Sequence, residues 1–203
     1  MAIVDAVNRA AKRVPPGLLY VLGAIAPLWL LWRAQTGALG VDPVKAIEHR
    51  LGLWALQLVV LGLCVTPLRR FAGVNLIRFR RAIGLLAFFF ACLHVLAWLV
   101  LDMGLLWQQA LADIVKRPYI TLGMASLLMM IPLAVTSRDS MIRRLGPERW
   151  RQLHRLNYLL APAAALHFLW LVKAWPLEPI LYLTAILVLL ALRFVSQRGR
   201  VAA

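Results

Sequence analysis

Six long stretches without a charged residue divide this chain of 203 residues. They cover residues 14–32, 51–68, 82–101, 118–137, 156–172 and 179–192. A helix needs about 20 apolar residues, with a range of roughly 17–25, to cross the hydrocarbon core of a bilayer. Five stretches reach that range, and the last reaches it if Glu178 and Arg193 lie at the membrane interface and extend their charges to water. The sequence therefore predicts six transmembrane helices, over about 16–33, 50–68, 82–101, 118–137, 153–172 and 176–194.

The composition excludes a water-soluble protein. Hydrophobic residues make up 63% of the chain and charged residues 15%, whereas soluble domains have about 45–50% and about 25%. The loops between the predicted helices are too short for a folded domain outside the membrane, so a single membrane domain over 1–203 is expected. Neither G-x-G-x-x-G nor G-x-x-x-x-G-K-[ST] occurs, which argues against NAD(P)H binding in the usual manner.

The positive charges are concentrated in alternate loops. The net charge is +15, and the amino terminus, residues 69–81, residues 138–155 and the carboxyl terminus are all basic. The charges in residues 42–50, 102–117 and 173–178 sum to zero in each loop. Because Lys and Arg accumulate on the cytoplasmic side, both termini are predicted to be cytoplasmic. This dispersal of basic residues over membrane loops argues against nucleic-acid binding.

Two histidines are the main candidates for chemistry inside the membrane, because the uncharged stretches contain no Asp, Glu, Lys or Arg. His94 lies in the third predicted helix and His167 in the fifth. A rise of about 1.5 Å per residue places them about 12 Å and about 9 Å from the outer boundary. Two imidazoles at similar depth on parallel helices predict bis-histidine ligation of one haem iron. The alternative is a pair of core histidines that are hydrogen-bonded to neighbouring helices.

A short internal similarity places the two histidines at equivalent points. Residues 93–100 and 166–172 both begin Leu-His and continue with Leu, Trp and Val, apart from one inserted residue. A chance match between leucine-rich helices is the alternative explanation. We also expect residues 103–112 to form an apolar helix at the membrane interface.

A second level is predicted near the cytoplasmic face, where His154 lies 13 residues before His167. The same step back from His94 leads to Arg81, so an inner haem would lack a symmetrical pair of histidine ligands. Basic residues of the same loop are candidates to bind haem propionates, an FMN phosphate or anionic lipid. These residues are Arg78, Arg80 and Arg81.

Several ordered motifs carry a family resemblance over nearly the whole chain. They are LGVDPVK at 39–45, TPLR at 66–69, RRAIGLL at 80–86, KRPYITLG at 116–123, WRQLHR at 150–155 and HFLWLVK at 167–173. Together they resemble the MsrQ family, formerly YedZ, of haem-binding membrane subunits from bacterial periplasmic methionine sulfoxide reductase systems. That family belongs to the ferric-reductase-like transmembrane domains. The resemblance implies an all-α integral membrane protein, a bundle of six transmembrane helices with haem between helices three and five.

The resemblance also implies roles for particular residues. His94 and His167 correspond to the ligands of an outer haem b, and His154 corresponds to a third family histidine, whereas the usual pattern has four. The family passes electrons from the quinone pool, or from a cytosolic flavin reductase through bound FMN, to a periplasmic molybdopterin subunit that reduces methionine sulfoxide in oxidised proteins. An electron-transfer subunit of the bacterial inner membrane is therefore expected. The alternative is a six-helix transporter in which His94 and His167 form a proton relay.

Overall fold

The computed structural model describes residues 2–172, 174 and 176–201, with side chains described as far as Arg193. Lys173, the last residue of the 167–173 motif, lies outside the described residues. In the part of the chain that is described, the regular elements are all helical. An all-α fold is thus confirmed.

In the described ranges, six helices correspond to the predicted spans, and four shorter ones lie between or before them. The long helices are α2 (Gly17–Gln35), α3 (Pro43–Phe71), α4 (Arg80–Ala97), α6 (Pro118–Val135), α9 (Asn157–Leu171) and α10 (Leu177–Val201). The shorter helices are α1 (Ala2–Arg13), α5 (Trp107–Lys116), α7 (Asp139–Leu145) and α8 (Pro147–Leu153). A π-helical turn at Trp98–Asp102 extends α4, and 3₁₀ turns at Ile77–Phe79 and His154–Leu156 precede α4 and α9.

Among the described residues, four helical segments are long and apolar enough to cross a membrane. They are Gly17–Gln35, Pro43–Phe71, Ile77–Asp102 and Pro118–Val135. The helix α9 has 15 residues, below the length of a full span. The chain is an integral membrane protein, and the spans at α9 and α10 stay predictions.

Local sequence signals set several helix ends. Asp42 caps α3, because its Oδ1 accepts a hydrogen bond of 3.1 Å from the Lys45 N–H and Pro43 follows at the first helical position. That backbone hydrogen bond holds the pKa of the Asp42 carboxyl below its usual range. Pro118 opens α6 in the same position, and Gly146, with φ of 78°, ends α7. These signals lie in the connections that the charge pattern had marked as loops.

The helices α3, α4, α6 and α9 form a central bundle, with α3 packed on α4 and α6 packed on α9. The helix α10 lies against α3 and α9, and α2 lies against α3 and α4. Small side chains such as Ala87, Ala161 and Ala165 are buried in the main core, which lets neighbouring backbones approach closely. Large apolar side chains such as Leu28 and Trp32 face outward from α2, as expected of a surface in contact with lipid.

Two expectations from the sequence are wrong. The interfacial helix begins at Trp107 rather than at residue 103 and runs to Lys116, because Gly104 and Leu105 adopt positive φ angles of 55° and 61° that interrupt a helix. Arg193 does not extend to the interface, since it is only 6% exposed and packs between helices. Glu178 is exposed, as expected.

Candidate functional site

A cavity of about 480 Å³ opens between α3, α4, α6 and α9 at one end of the bundle. We call this the outer end, because it carries the loop residues Asp102 and Arg117, and we call the opposite end, which carries Arg81 and Asp139, the inner end. Most of the cavity lining is apolar. Polar side chains from α3 and the adjoining loops contribute to the lining, as do His94 and His167. The cavity therefore holds both intramembrane histidines predicted as ligands.

The main chain of α3 holds the imidazole of His94. Its Nδ1 lies 2.9 Å from the carbonyl oxygen of Glu48. A carbonyl can only accept, so the Nδ1 atom donates and the neutral ring keeps its lone pair on Nε2. This is the tautomer that a histidine needs to bind a metal through Nε2.

The imidazole of His167 is held in the same way by α6. Its Nδ1 donates to the carbonyl oxygen of Tyr119 over 2.6 Å. The second metal-binding nitrogen, Nε2, is again left with its lone pair. The two sites predicted from the internal similarity at 93–100 and 166–172 thus have equivalent surroundings.

Two glycines make room for these rings, and sequence reasoning missed both. Gly52 follows Glu48 by four residues, and Gly123 follows Tyr119 by four residues, so each lies one helical turn beyond the carbonyl that holds an imidazole. A Cβ at Gly52 would lie 3.1 Å from Nδ1 of His94, and a Cβ at Gly123 would lie 2.9 Å from Nδ1 of His167. Gly123 is the last residue of the KRPYITLG motif, and that motif was the sequence signal that could have identified it.

The two rings are neighbours in the cavity in an edge-on arrangement, with centroids 6.3 Å apart and planes inclined by 69°. A metal–imidazole bond is about 2.0–2.1 Å long, so two imidazoles on opposite sides of one metal have centroids about 6 Å apart. In the described residues, no group of three or more His, Cys, Asp or Glu side chains could hold a metal ion by protein ligands alone. A donor set of two neighbouring imidazoles fits an iron whose other ligands come from a porphyrin.

Glu48 contributes a polar atom without a partner to the lining of this site. The Oε1 atom of Glu48 is buried and has no hydrogen-bond partner among the described residues. Buried polar atoms in proteins nearly always have a partner. A polar group on a bound ligand would supply it.

The structure does not bring His154 together with the two outer histidines. His154 lies in the 3₁₀ turn before α9, is half-buried, and stacks on Trp150 with ring centroids 3.9 Å apart. Its Nδ1 lies 3.0 Å from the carbonyl oxygen of Trp150. The side chain therefore belongs to the inner end, at a separate level, as its spacing from His167 predicted.

The three arginines predicted to bind anions have different surroundings. Arg78 donates through Nη1 to the carbonyls of Ala11 and Lys12, at 3.1 and 2.5 Å, and so caps the end of α1. Arg81 pairs with Asp139 at 3.0 Å and also donates to the carbonyl of Ser137. Arg80 has no ion pair or hydrogen bond within the described part of the chain, and His154 lies within range of its charge.

Comparison with known proteins identifies the family. The family described as ferric reductase like transmembrane component matches residues 51–165, from the first turns of α3 into α9. Proteins from Brucella ovis, Brucella canis and Brucella suis are each 48% identical over 191 residues, which covers 92% of this chain and 86% of the relative. Each is named protein-methionine-sulfoxide reductase heme-binding subunit MsrQ. This chain belongs to the MsrQ family. The resemblance inferred from the motifs is confirmed.

The region that matches the ferric reductase like family contains two of the three histidines described above. His94 lies in α4, His154 lies before α9, and residues 51–165 end two positions before His167. The longer alignment to the Brucella MsrQ proteins extends over nearly the whole chain. MsrQ membership supports an electron-transfer role in a reductase system.

Proposed function

We propose that this chain is the haem b-containing electron-transfer subunit of a bacterial inner-membrane system for reducing methionine sulfoxide. In this proposal six helices span the membrane and both termini are cytoplasmic. Electrons come from quinol or from a cytosolic flavin reductase, with FMN as a further cofactor in the second case. They pass to a periplasmic molybdopterin subunit, which carries the catalytic site and repairs oxidised periplasmic proteins. The names of the Brucella relatives and the alternating loop charges support this assignment.

The neighbouring pair of His94 and His167 is the observation that carries the proposal. Each ring donates through Nδ1 to a main-chain carbonyl, and the ring centroids are 6.3 Å apart. Two fixed imidazoles whose Nε2 atoms keep their lone pairs would hold the iron of a haem. The cavity between four helices provides the apolar surroundings that such a site requires.

The chain's own residues prepare the site for electron transfer. His94 and His167 would hold the iron of haem, and bound haem supplies a centre that gains and loses one electron. The Nδ1–H bonds to Glu48 and Tyr119 fix the tautomer and orientation of each ring and increase its strength as a ligand. Apolar side chains such as Leu56 and Val59 line the cavity and exclude water.

In this proposal electrons arrive from the cytoplasmic side of the membrane, and the inner end lies on that side. His154 is a third candidate iron ligand, held by Trp150 through stacking and a hydrogen bond. Arg80 is the member of the arginine group whose guanidinium has no partner in the described structure, whereas Arg78 and Arg81 are engaged with main-chain and carboxylate oxygens. Arg80 is therefore the leading candidate among the three arginines to bind an anionic group of a cofactor or lipid at this end.

The contacts of the two rings favour electron transfer over a proton-relaying transporter. A relaying imidazole takes up a proton at one nitrogen and releases it from the other. Both Nδ1 atoms are instead held by main-chain carbonyls at 2.9 and 2.6 Å. Fixed rings suit metal ligation better than repeated tautomer exchange.

Spectra of histidine variants test the proposal. We expect His94→Ala and His167→Ala each to abolish the low-spin bis-histidine haem spectrum of the purified protein, because each removes one axial bond. The matched control is His154→Ala, which should leave this outer spectrum largely intact. An unchanged spectrum in both outer variants would show that the ligands lie elsewhere. A colourless wild-type protein that is folded and transports a solute would establish the alternative function.

A further inference from the structure

The guanidinium of Arg193 is the most deeply buried charge in the described part of the chain. The residue is 6% exposed, and its guanidinium carbon lies 5.9 Å from the ring centre of Tyr158. It forms no ion pair with an acidic side chain among the described residues. A buried charge is costly to maintain unless it is paired and hydrogen-bonded.

One part of this guanidinium has a clear structural role. Its Nη2 donates to the carbonyl of Leu63 at 2.8 Å and to that of Gly62 at 3.3 Å. Pro67 lies four residues after Leu63 and has no N–H, so the helix itself cannot supply a donor to the Leu63 carbonyl. Arg193 supplies it from α10.

The Nε atom is not explained by this contact. It is buried and has no hydrogen-bond partner among the described residues. The neighbouring Nη2 is already engaged with the two carbonyls, so the Nε–H remains as a single charged donor of the kind that binds phosphate and carboxylate oxygens. The unpartnered donor of Arg193 therefore matches an oxyanion.

A second guanidinium without an acidic partner in the described structure belongs to Arg80, at the start of α4. The charge of Arg80 lies within electrostatic range of both Arg193 and Tyr158. Neither arginine has an acidic partner in the described structure, unlike Arg81, which pairs with Asp139. Two like charges repel each other in the absence of an intervening anion.

We propose that Arg193 and Arg80 form an oxyanion site at the inner end, which takes a phosphate or carboxylate group of a ligand. The Nε–H of Arg193 donates to the oxyanion from the buried side, and Arg80 neutralises it from the exposed side. The carbonyl of Leu63 lies 15 residues along α3 from that of Glu48, about 22 Å at the helical rise, so this site is separate from the outer histidine pair. The proposal does not depend on haem ligation by those histidines.

Binding measurements on the full-length chain in lipid nanodiscs test the site. The probes are phosphatidylglycerol in a phosphatidylcholine background, FMN, and haem, which supply a lipid phosphate, a flavin phosphate and propionate carboxylates. We expect Arg193→Gln and Arg80→Gln each to weaken binding of the same one probe by about tenfold or more, since each removes a charge-assisted hydrogen bond or charge. The affected probe identifies the source of the oxyanion. The matched control is Arg143→Gln, an exposed arginine of α7 at the inner end, which should bind all three as the wild type does.

If Arg193→Gln does not fold, Arg193→Lys and Arg80→Gln test the oxyanion site in its place. Arg193→Lys keeps a positive charge near the Leu63 carbonyl but removes the Nε–H donor, so it should weaken the same probe as Arg80→Gln. Binding of all three probes within about twofold of wild type in both Arg193→Lys and Arg80→Gln would overturn the proposal. The low-spin haem spectrum assigned to His94 and His167 is recorded on the same samples. This spectrum distinguishes a failure of the haem assignment at the outer end from a failure of the oxyanion site.

Discussion

At the scale of single residues, the outer site is built by one device used twice. A carbonyl of one helix accepts the Nδ1–H of an imidazole from its neighbour, and a glycine one turn later leaves space for the ring. The first copy uses Glu48 and Gly52 to hold His94, and the second uses Tyr119 and Gly123 to hold His167. The repeated arrangement argues that the internal similarity around the two histidines reflects equivalent structure.

The glycine of the second copy provides a sharp test. Gly123→Ala should displace the His167 ring, because the added Cβ would lie 2.9 Å from Nδ1. Loss of a hydrogen bond that orients a metal ligand typically costs about 10–100-fold in metal affinity. We expect a haem loss of that order, measured as the rate of haem transfer to an acceptor protein.

Substitutions at two further glycines provide comparisons for the haem loss expected of Gly123→Ala. Gly52→Ala should have a smaller effect, since its Cβ would lie 3.1 Å from the His94 ring, and Gly84→Ala is the control because its Cβ would meet no atom within 4 Å. Equal haem loss in Gly84→Ala and Gly123→Ala would contradict this account.

The inner histidine has a separate prediction. We expect His154→Ala to lower haem content, or electron input from the cytoplasmic side, while chemical reduction from the periplasmic side still works. The physical reason is that a single imidazole offers an inner iron only one strong protein ligand. Haem stoichiometry and donor-driven reduction measure the effect. Normal values for both would restrict His154 to a packing role against Trp150.

At the scale of helices, contacts between distant segments compensate for local defects. Pro67 removes a donor from α3, and Arg193 of α10 replaces it at the Leu63 carbonyl. The helix α1 is attached to the loop after α3 by Asn8, which donates to the carbonyl of Gly73 and accepts from the N–H of Asn75. Each contact joins residues more than 60 positions apart.

A double-mutant cycle tests the link between Pro67 and Arg193. Pro67→Ala restores an N–H that can reach the Leu63 carbonyl, so Arg193→Gln should perturb stability less in that background. We expect a coupling free energy of about 1 kcal/mol, measured from unfolding in detergent. Pro27→Ala in α2 is the control and should be additive with Arg193→Gln. Additivity within about 0.5 kcal/mol for the Pro67 pair would refute the link.

At the scale of the whole molecule, the bundle separates two chemically different ends. The outer end carries the cavity with the two histidines, and the inner end carries the arginine-rich loops, His154 and the contacts of α1. The loop charges orient these ends with respect to the membrane, because Lys and Arg remain on the cytoplasmic side. In the proposed topology, the outer histidine pair lies toward the periplasmic side.

Reporter fusions test this orientation. Fusions after Gly40, Ala110 and Ala174 should be periplasmic, and fusions after Gly73, Ser140 and Gln197 should be cytoplasmic, since only the second group follows basic segments. Paired phosphatase and fluorescent reporters measure the location of each site. An odd number of crossings would exclude the proposed arrangement.

The sequence by itself determined the class of protein, the approximate bounds of the apolar helices and the family. These properties depend on hydrophobic length, charge and spacing along the chain, which are local. Prediction was wrong where local geometry intervened, as at Gly104 and Leu105, whose positive φ angles delay the start of α5.

Only the tertiary structure decided how the side chains meet. The rotation of each helix about its axis and its packing against neighbours bring the His94 and His167 rings to 6.3 Å, and no pattern within one helix encodes that distance. The same packing carries Arg193 away from the interface to the Leu63 carbonyl, because a backbone oxygen without a donor in a buried position must be satisfied by another segment.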